Sequence, residues 1–202
     1  MESKTNFDMI ADIIKCHGGY ITRKDINDLG ISSAMLSQYV KKFGLVKHGT
    51  GFYAVETWPT DQYLIFQYIY PKLVYSLYSA AYLHKLIRVI PNSLEVTAPK
   101  NYRPFPLPQK GITLHTDTRV NTYELGVQEI TTSFNNKVKV YDLEKTVCDF
   151  IKNKSKINPE LFDECLSNYQ KRDDKNIANL LRYALEMKIT NEVYSLLESI
   201  LR

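Results

Sequence analysis

What this chain has little of narrows the field first. Its 202 residues include three cysteines, Cys16, Cys148 and Cys165. An odd number without short paired spacing gives neither a disulfide framework nor a zinc ligand set, and the apolar helical surroundings of Cys148 and Cys165 predict reduced core thiols. No run of about 18 apolar residues occurs, so no transmembrane helix is predicted. The opening residues Glu2, Lys4 and Asp8 are unlike a signal peptide, which makes the cytoplasm the expected address. The phosphate-cradling patterns G-x-x-x-x-G-K and G-x-G-x-x-G are missing, as are an H-x-x-x-H pair and the Gly-Ser dipeptide that opens a nucleotidyltransferase site. His17, His48, His84 and His115 are scattered, and Asp173-Asp174 lies among Lys171, Arg172 and Lys175, which predicts solvated charge at a helix start over a metal site. No catalytic residue, cofactor or metal is predicted.

Charge of one sign is also scarce. Lysine and arginine number 26 against 22 acidic residues; up to Trp58 the balance is 7 to 6, and beyond it 19 to 16. A nucleic-acid surface must therefore arise from clustering in space. With 44% hydrophobic and 24% charged residues, the chain has the composition of a soluble protein long enough for two small cores.

Residues 6–55 carry the clearest pattern. Phe7, Ile10, Ile13 and Ile14 recur at helical spacing before Gly18-Gly19 ends the run. A short strand fits Tyr20-Ile21. Thr22 is placed to cap a helix from Arg23 to Leu29, with Asp25 three residues on. Gly30 stops that helix, Ser32 caps the next, and Ser33 to Lys42 buries Leu36, Val40 and Phe43. The opposite face holds Ser33, Ser37, Gln38, Lys41 and Lys42, where short hydroxyls and a glutamine reach base edges and lysines meet phosphate. The following hairpin, Val46 to Tyr53, reads as a wing that brings Lys47, His48 and Thr50 toward flanking backbone. A winged helix-turn-helix over residues 1–57 is the predicted DNA-binding domain, with Thr22, Arg23, Lys24, Ser32, Ser33, Ser37, Gln38, Lys41, Lys42, Lys47, His48 and Thr50 as its contact residues. Small winged domains also serve as protein-docking modules, and Lys41-Lys42 could be a solvated helix end facing its own dipole.

A linker is expected at Glu56 to Asp61, around Pro59, and a second domain over 61–202. The aromatics Tyr63, Phe66, Tyr68, Tyr70, Tyr75, Tyr78 and Tyr82 are dense enough among aliphatics to predict packing over base stacking. A helix is expected over Ser76–Leu86, with His84 on its surface, and strands at Leu94–Ala98, Gly111–His115, Val127–Phe134 and Lys137–Tyr141. Asn135-Asn136 would be a two-residue turn. Asp142 caps a helix with Leu143, Val147, Phe150 and Ile151 buried, Lys145 outward and Asp149 exposed or paired. Helices Glu160–Gln170, Asp174–Met187 and Asn191–Leu201 complete the chain. The predicted fold is α+β: the winged module, then a mixed α/β domain with a small, mostly antiparallel sheet and a C-terminal helical bundle.

Two stretches, Val74 to Leu86 with Ile90-Pro91 and Leu94 to Pro99, and Tyr123 to Gly126 with Val140 to Phe150, resemble the AbiEi family of antitoxins from bacterial abortive-infection toxin–antitoxin systems. With the N-terminal module in the same order, the resemblance covers nearly the whole chain. It implies a type IV antitoxin that counters a nucleotidyltransferase-like toxin without a stable complex and represses its own operon at repeated promoter sequences in double-stranded DNA. No membrane partner is implied, and a monomer binding cooperatively on DNA is expected. Lys100, Arg103 and Lys110 on a proline-rich connector, with Lys137, Lys139, Lys145, Lys152, Lys154 and Lys156 around the hairpin and its helix, form a predicted second basic face, or else ordinary solubilising charge. The alternative function is an adaptor that sequesters a protein partner directly.

Overall fold

The computed structural model describes residues 5–104, 107, 111–116 and 122–200, excepting the side chains of Ser33, Ser199 and Ile200. The chain is α+β and divides into two compact units, Met1–Pro71 with Ser133–Asn136, and Lys72–Thr132 with Lys137–Arg202. The division falls at Pro71, beyond the linker expected at Glu56 to Asp61, because the helix after that linker packs back on the first unit.

In the first unit, α1 (Asn6–Cys16) opens with a capping box between Thr5 and Asp8. It is followed by β1 (Tyr20–Thr22), α2 (Arg23–Asp28), α3 (Ser33–Lys42), β2 (Leu45–Gly49), β3 (Phe52–Val55) and α4 (Gln62–Ile69). The three strands pair antiparallel in the order β1-β3-β2. Ile10, Ile14, Ile21, Ile26, Ile31, Leu36 and Leu45 form one core between the helices and the sheet. Phe52, Ala54, Trp58 and Ile65 form a second, where α4 closes over the sheet's other side. Burial of this apolar area supplies most of the stabilisation, at roughly 25 cal/mol per Å². Asp61 caps α4 through Oδ1, which accepts from the amides of Tyr63 and Leu64.

The second unit holds β4 (Val74–Tyr75), α5 (Leu77–Leu83), β5 (Leu94–Ala98), β6 (Ile112–Thr116), β7 (Val127–Thr131), β8 (Lys137–Tyr141), α6 (Leu143–Lys152), α7 (Pro159–Gln170), α8 (Ile177–Met187) and α9 (Thr190–Ile200). Its five strands run in the order β6-β5-β4-β8-β7. The pairs β5–β6 and β4–β8 are parallel, β4–β5 and β7–β8 antiparallel, so the sheet is mixed, not mostly antiparallel. Sequential strands β5 and β6 can be parallel because the long connection between Ala98 and Ile112 returns the chain to the same end.

The helical part of this unit centres on α6, which is buried from Leu143 to Ile151 on every side. It is packed by α5, α7, α8 and α9 in one core that includes Phe150, Phe162, Cys165, Tyr169, Leu180, Tyr183 and Val193. Several expectations change here. Lys145 is not outward: its Nζ lies 2.7 Å from Asp149 Oδ1, and it is 3% exposed. His84 is not on a surface either. Its Nε2 lies 2.6 Å from the Tyr141 carbonyl, and burial holds its pKa below the ordinary histidine value. Strand β7 ends at Thr131, so the turn is longer than Asn135-Asn136. Helix α8 begins at Ile177 under an Asn176 cap, while Asp174 is held by a bidentate pair with Arg172 instead of starting the helix. Among the described residues, no helix is long and apolar enough to cross a membrane.

Candidate nucleic-acid interface

The first unit presents its polar residues through tight local turns. Thr22 donates from Oγ1 to Asp25 Oδ2 at 2.6 Å, and the Thr22 amide donates to the same oxygen at 2.8 Å. This reciprocal cap satisfies donors that a helix start otherwise leaves open. It also encloses Thr22, which is 7% exposed and so fixes the entry to α2 instead of reaching outward as expected. Arg23 and Lys24 follow it with exposed side chains. The Arg23 amide donates to the Gly51 carbonyl at 2.7 Å, tying the hairpin tip to the start of α2. Only glycine suits position 51: its φ is +75°, and an added Cβ would sit 2.9 Å from Arg23 Cβ.

Helix α3 is capped by Ser32, whose Oγ accepts from the Met35 amide at 3.4 Å. Leu36 packs inward, and Tyr39 and Val40 are half-buried, which leaves Ala34, Met35, Ser37, Gln38, Lys41 and Lys42 exposed along the rest of the helix. No acid interrupts that face. Ser33 is in the first turn of α3, its side chain outside the described residues. At the far end the Phe7 ring stacks on Phe43 at 4.4 Å between centroids, and Lys42 Nζ lies 4.0 Å over Phe7. The Lys42 ammonium is thereby held against the ring face by a cation–π contact, on a residue that stays exposed.

The hairpin β2–β3 carries a register shift between Lys47 and Gly49. Lys47 and Thr50 are exposed. His48 differs: it turns inward, edge-on to Trp58 at 5.6 Å, with Nε2 buried and without a hydrogen-bond partner among the described residues. Exposed cations in this unit thus include Arg23, Lys24, Lys41, Lys42 and Lys47, contributed by α2, α3 and the hairpin.

The second group of cations is less uniform. Lys100 and Arg103 are exposed, while Lys110 lies outside the described residues. Lys137 and Lys139 alternate with buried Val138 and Val140 on β8 and share one face of the sheet, though Lys139 is in register with Glu129. Lys152, Lys154 and Lys156 are exposed, with Lys154 Nζ 5.2 Å over the Phe162 ring. Lys145 is excluded from any such face by its buried pair with Asp149.

The half-buried Asp142 and the buried Glu144 at the start of α6 have structural partners. Asp142 Oδ1 accepts from the Lys145 amide at 2.8 Å and Oδ2 from the Tyr183 hydroxyl at 2.8 Å. Glu144 Oε1 accepts from the Asn176 amide at 2.7 Å and the Tyr169 hydroxyl at 3.2 Å. Desolvation pushes both carboxyls above the ordinary range, and the hydrogen bonds partly offset it. Among the described residues, no group of three histidines, cysteines or acids could hold a metal ion.

The crystal structure of the RV2827C protein from Mycobacterium tuberculosis is similar to this chain. The match has a TM-score of 0.61 at 12% identity and covers 99% of this chain and 79% of that one. At that identity the likeness is one of fold. No family model matches the chain, and no curated protein does. The sequence signals that located α3, Lys47 and Thr50 were caps and glycines; the inward turn of His48 and the enclosure of Lys145 had no local signal, because both depend on residues distant in sequence.

Proposed function

We propose that the chain is an AbiEi-family antitoxin whose N-terminal unit is a winged helix-turn-helix that represses the antitoxin's own operon. The observation that carries this reading is the exposed, acid-free face of α3, held by the Ser32 cap, in a unit that also exposes Arg23 and Lys24 on α2 and Lys47 and Thr50 on the hairpin. The element order α1-β1-α2-α3-β2-β3 with the strand order β1-β3-β2 supports it. In this reading α3 enters the major groove, where Ser37 and Gln38 meet base edges. Lys41, Lys42, Arg23 and Lys24 neutralise phosphates, and the hairpin follows the adjacent backbone. One such module covers only roughly 600–1,000 Å² of DNA, so repeated promoter sites and the lysines of the second unit add the remaining affinity. The second unit supplies the antitoxin activity against a nucleotidyltransferase-like toxin without a stable complex.

The test is fluorescence anisotropy of the chain on its own upstream DNA and on a scrambled duplex of equal length, across a salt series. A repressor prefers the upstream DNA by about 10³ or more, with log affinity falling steeply against log salt as counterions are released. Equal, weak and salt-insensitive binding to both would reject the reading and favour a docking role for the first unit.

A further inference from the structure

The second unit contains a polar cleft of about 310 Å³. Its floor is Lys145, whose side chain is 4% exposed. An ammonium carries three N–H donors. Among the described residues, the Lys145 ammonium has one hydrogen-bond partner, Asp149 Oδ1 at 2.7 Å, besides lying 4.3 Å over the Tyr141 ring. Donor capacity therefore remains unspent at a buried charge that lines an open cleft, an arrangement that is costly unless an acceptor occupies it.

The rest of the lining shows what kind of acceptor fits. Lys152 is exposed, and with Lys145 paired to Asp149 its charge is the unpaired one among the lysine and aspartate side chains of the lining, the Glu95 carboxylate behind His115 lying outside it. Thr116 contributes a hydroxyl, while Thr97 spends its own on Ser76 Oγ at 2.9 Å, and His115 contributes a ring whose Nε2 lies 2.9 Å from Glu95 Oε2. Two cations and a hydroxyl lining one concave site match a compact oxyanion with several acceptor oxygens. A duplex backbone presents its phosphates on a convex surface, which a cleft of this size does not follow.

We propose that this cleft binds the terminal phosphate of a small phosphomonoester, with Lys145 and Lys152 as its cationic ligands and Thr116 as a hydroxyl donor. The site is independent of the DNA-binding reading and survives if that reading fails.

Amide shifts in two-dimensional NMR spectra of the full chain test it. The probes are ribose 5-phosphate, inorganic phosphate, ribose, and a short duplex lacking terminal phosphates. Ribose 5-phosphate and inorganic phosphate are expected to shift the Thr116, Lys145 and Lys152 amides saturably, while ribose leaves all three in place and the duplex leaves those of Thr116 and Lys145. Lys152→Ala, at an exposed position, should weaken ribose 5-phosphate binding by about tenfold, the equivalent of one charge-assisted contact. Thr116→Val, at the other rim, should weaken it by a smaller factor. No saturable shift from ribose 5-phosphate would overturn the proposal, as would equal shifts from ribose, a response to the duplex alone, or wild-type affinity in both variants.

Discussion

Replacing Gly126 by alanine should be the most damaging single-methyl change in the second unit. Gly126 has a φ of +68°, and a Cβ there would lie 2.7 Å from Asp142 Oδ1, 2.8 Å from Cγ and 2.9 Å from Oδ2. The carboxylate cannot simply move away. Its two oxygens hold the Lys145 amide and the Tyr183 hydroxyl, and the Asp142 amide itself donates to the Gly126 carbonyl at 2.7 Å. The left-handed backbone costs about 1–2 kcal/mol for a residue with a Cβ. Loss of the α6 cap costs about 1 kcal/mol, and loss of the tyrosine hydrogen bond costs a similar amount. Together Gly126→Ala should destabilise by about 3–4 kcal/mol, which lowers the melting temperature of the second unit by roughly 10 °C. Scanning calorimetry measures that shift, and a double-mutant cycle isolates its cause. In an Asp142→Gly background the same methyl meets no carboxylate, so its cost should fall to the backbone strain alone. An equal cost in both backgrounds, or a cost under about 1 kcal/mol in the first, would refute the contact as the reason.

His84 predicts a pH effect with a definite sign. Burial lowers its folded pKa, so as pH falls through about 6.5 the unfolded chain takes up the proton first and stability is lost by up to about 1.4 kcal/mol per unit. Urea titrations should show a flatter profile between neutral and mildly acidic pH for His84→Gln, and an unchanged slope would contradict the assignment. Glu144 works the other way in a lower window: its folded pKa is raised, so it penalises the fold as pH climbs through the ordinary carboxylate range, and Glu144→Gln should gain stability relative to wild type over that climb. The thiols should separate cleanly with an aromatic disulfide reagent. Cys16 is exposed and should react in the native chain, while burial pushes Cys148 up to about 12 and raises Cys165 as well, so both should wait for denaturant. Replacing Lys41 and Lys42 together by alanine should weaken upstream and scrambled DNA alike and reduce the salt slope by about two. Gln38→Ala should instead narrow the gap between the two duplexes; the reverse pattern would exchange the roles assigned to these side chains.

Local chemistry made much of the fold legible. Thr22, Ser32 and Asp142 announce helix starts because a short oxygen-bearing side chain ahead of an apolar stripe has few other uses, and the structure finds all three capping. Alternation placed Leu94–Ala98 as a strand with its observed bounds. Strand direction was another matter. Whether β4 lies beside β8 depends on a crossover spanning the intervening chain, and no residue in Val74–Tyr75 encodes it. Lys145 illustrates the same limit at the level of a side chain. A lysine beside an acid at i, i+4 reads as an exposed helix pair, yet the packing of other helices around α6 turns that pair into the interior. In the first unit the exposed face of α3 was readable from periodicity, whereas the inward His48 required knowing where Trp58 would fall.

The enclosure of α6 also makes it a timekeeper. A helix with a solvent face loses its amide protons by local fraying, but one wrapped on all sides has no partial opening that exposes its middle turns. The amides of Val147, Cys148 and Phe150 should therefore exchange with deuterium only when the whole second unit opens, and their common rate would give its global unfolding free energy without heat or denaturant.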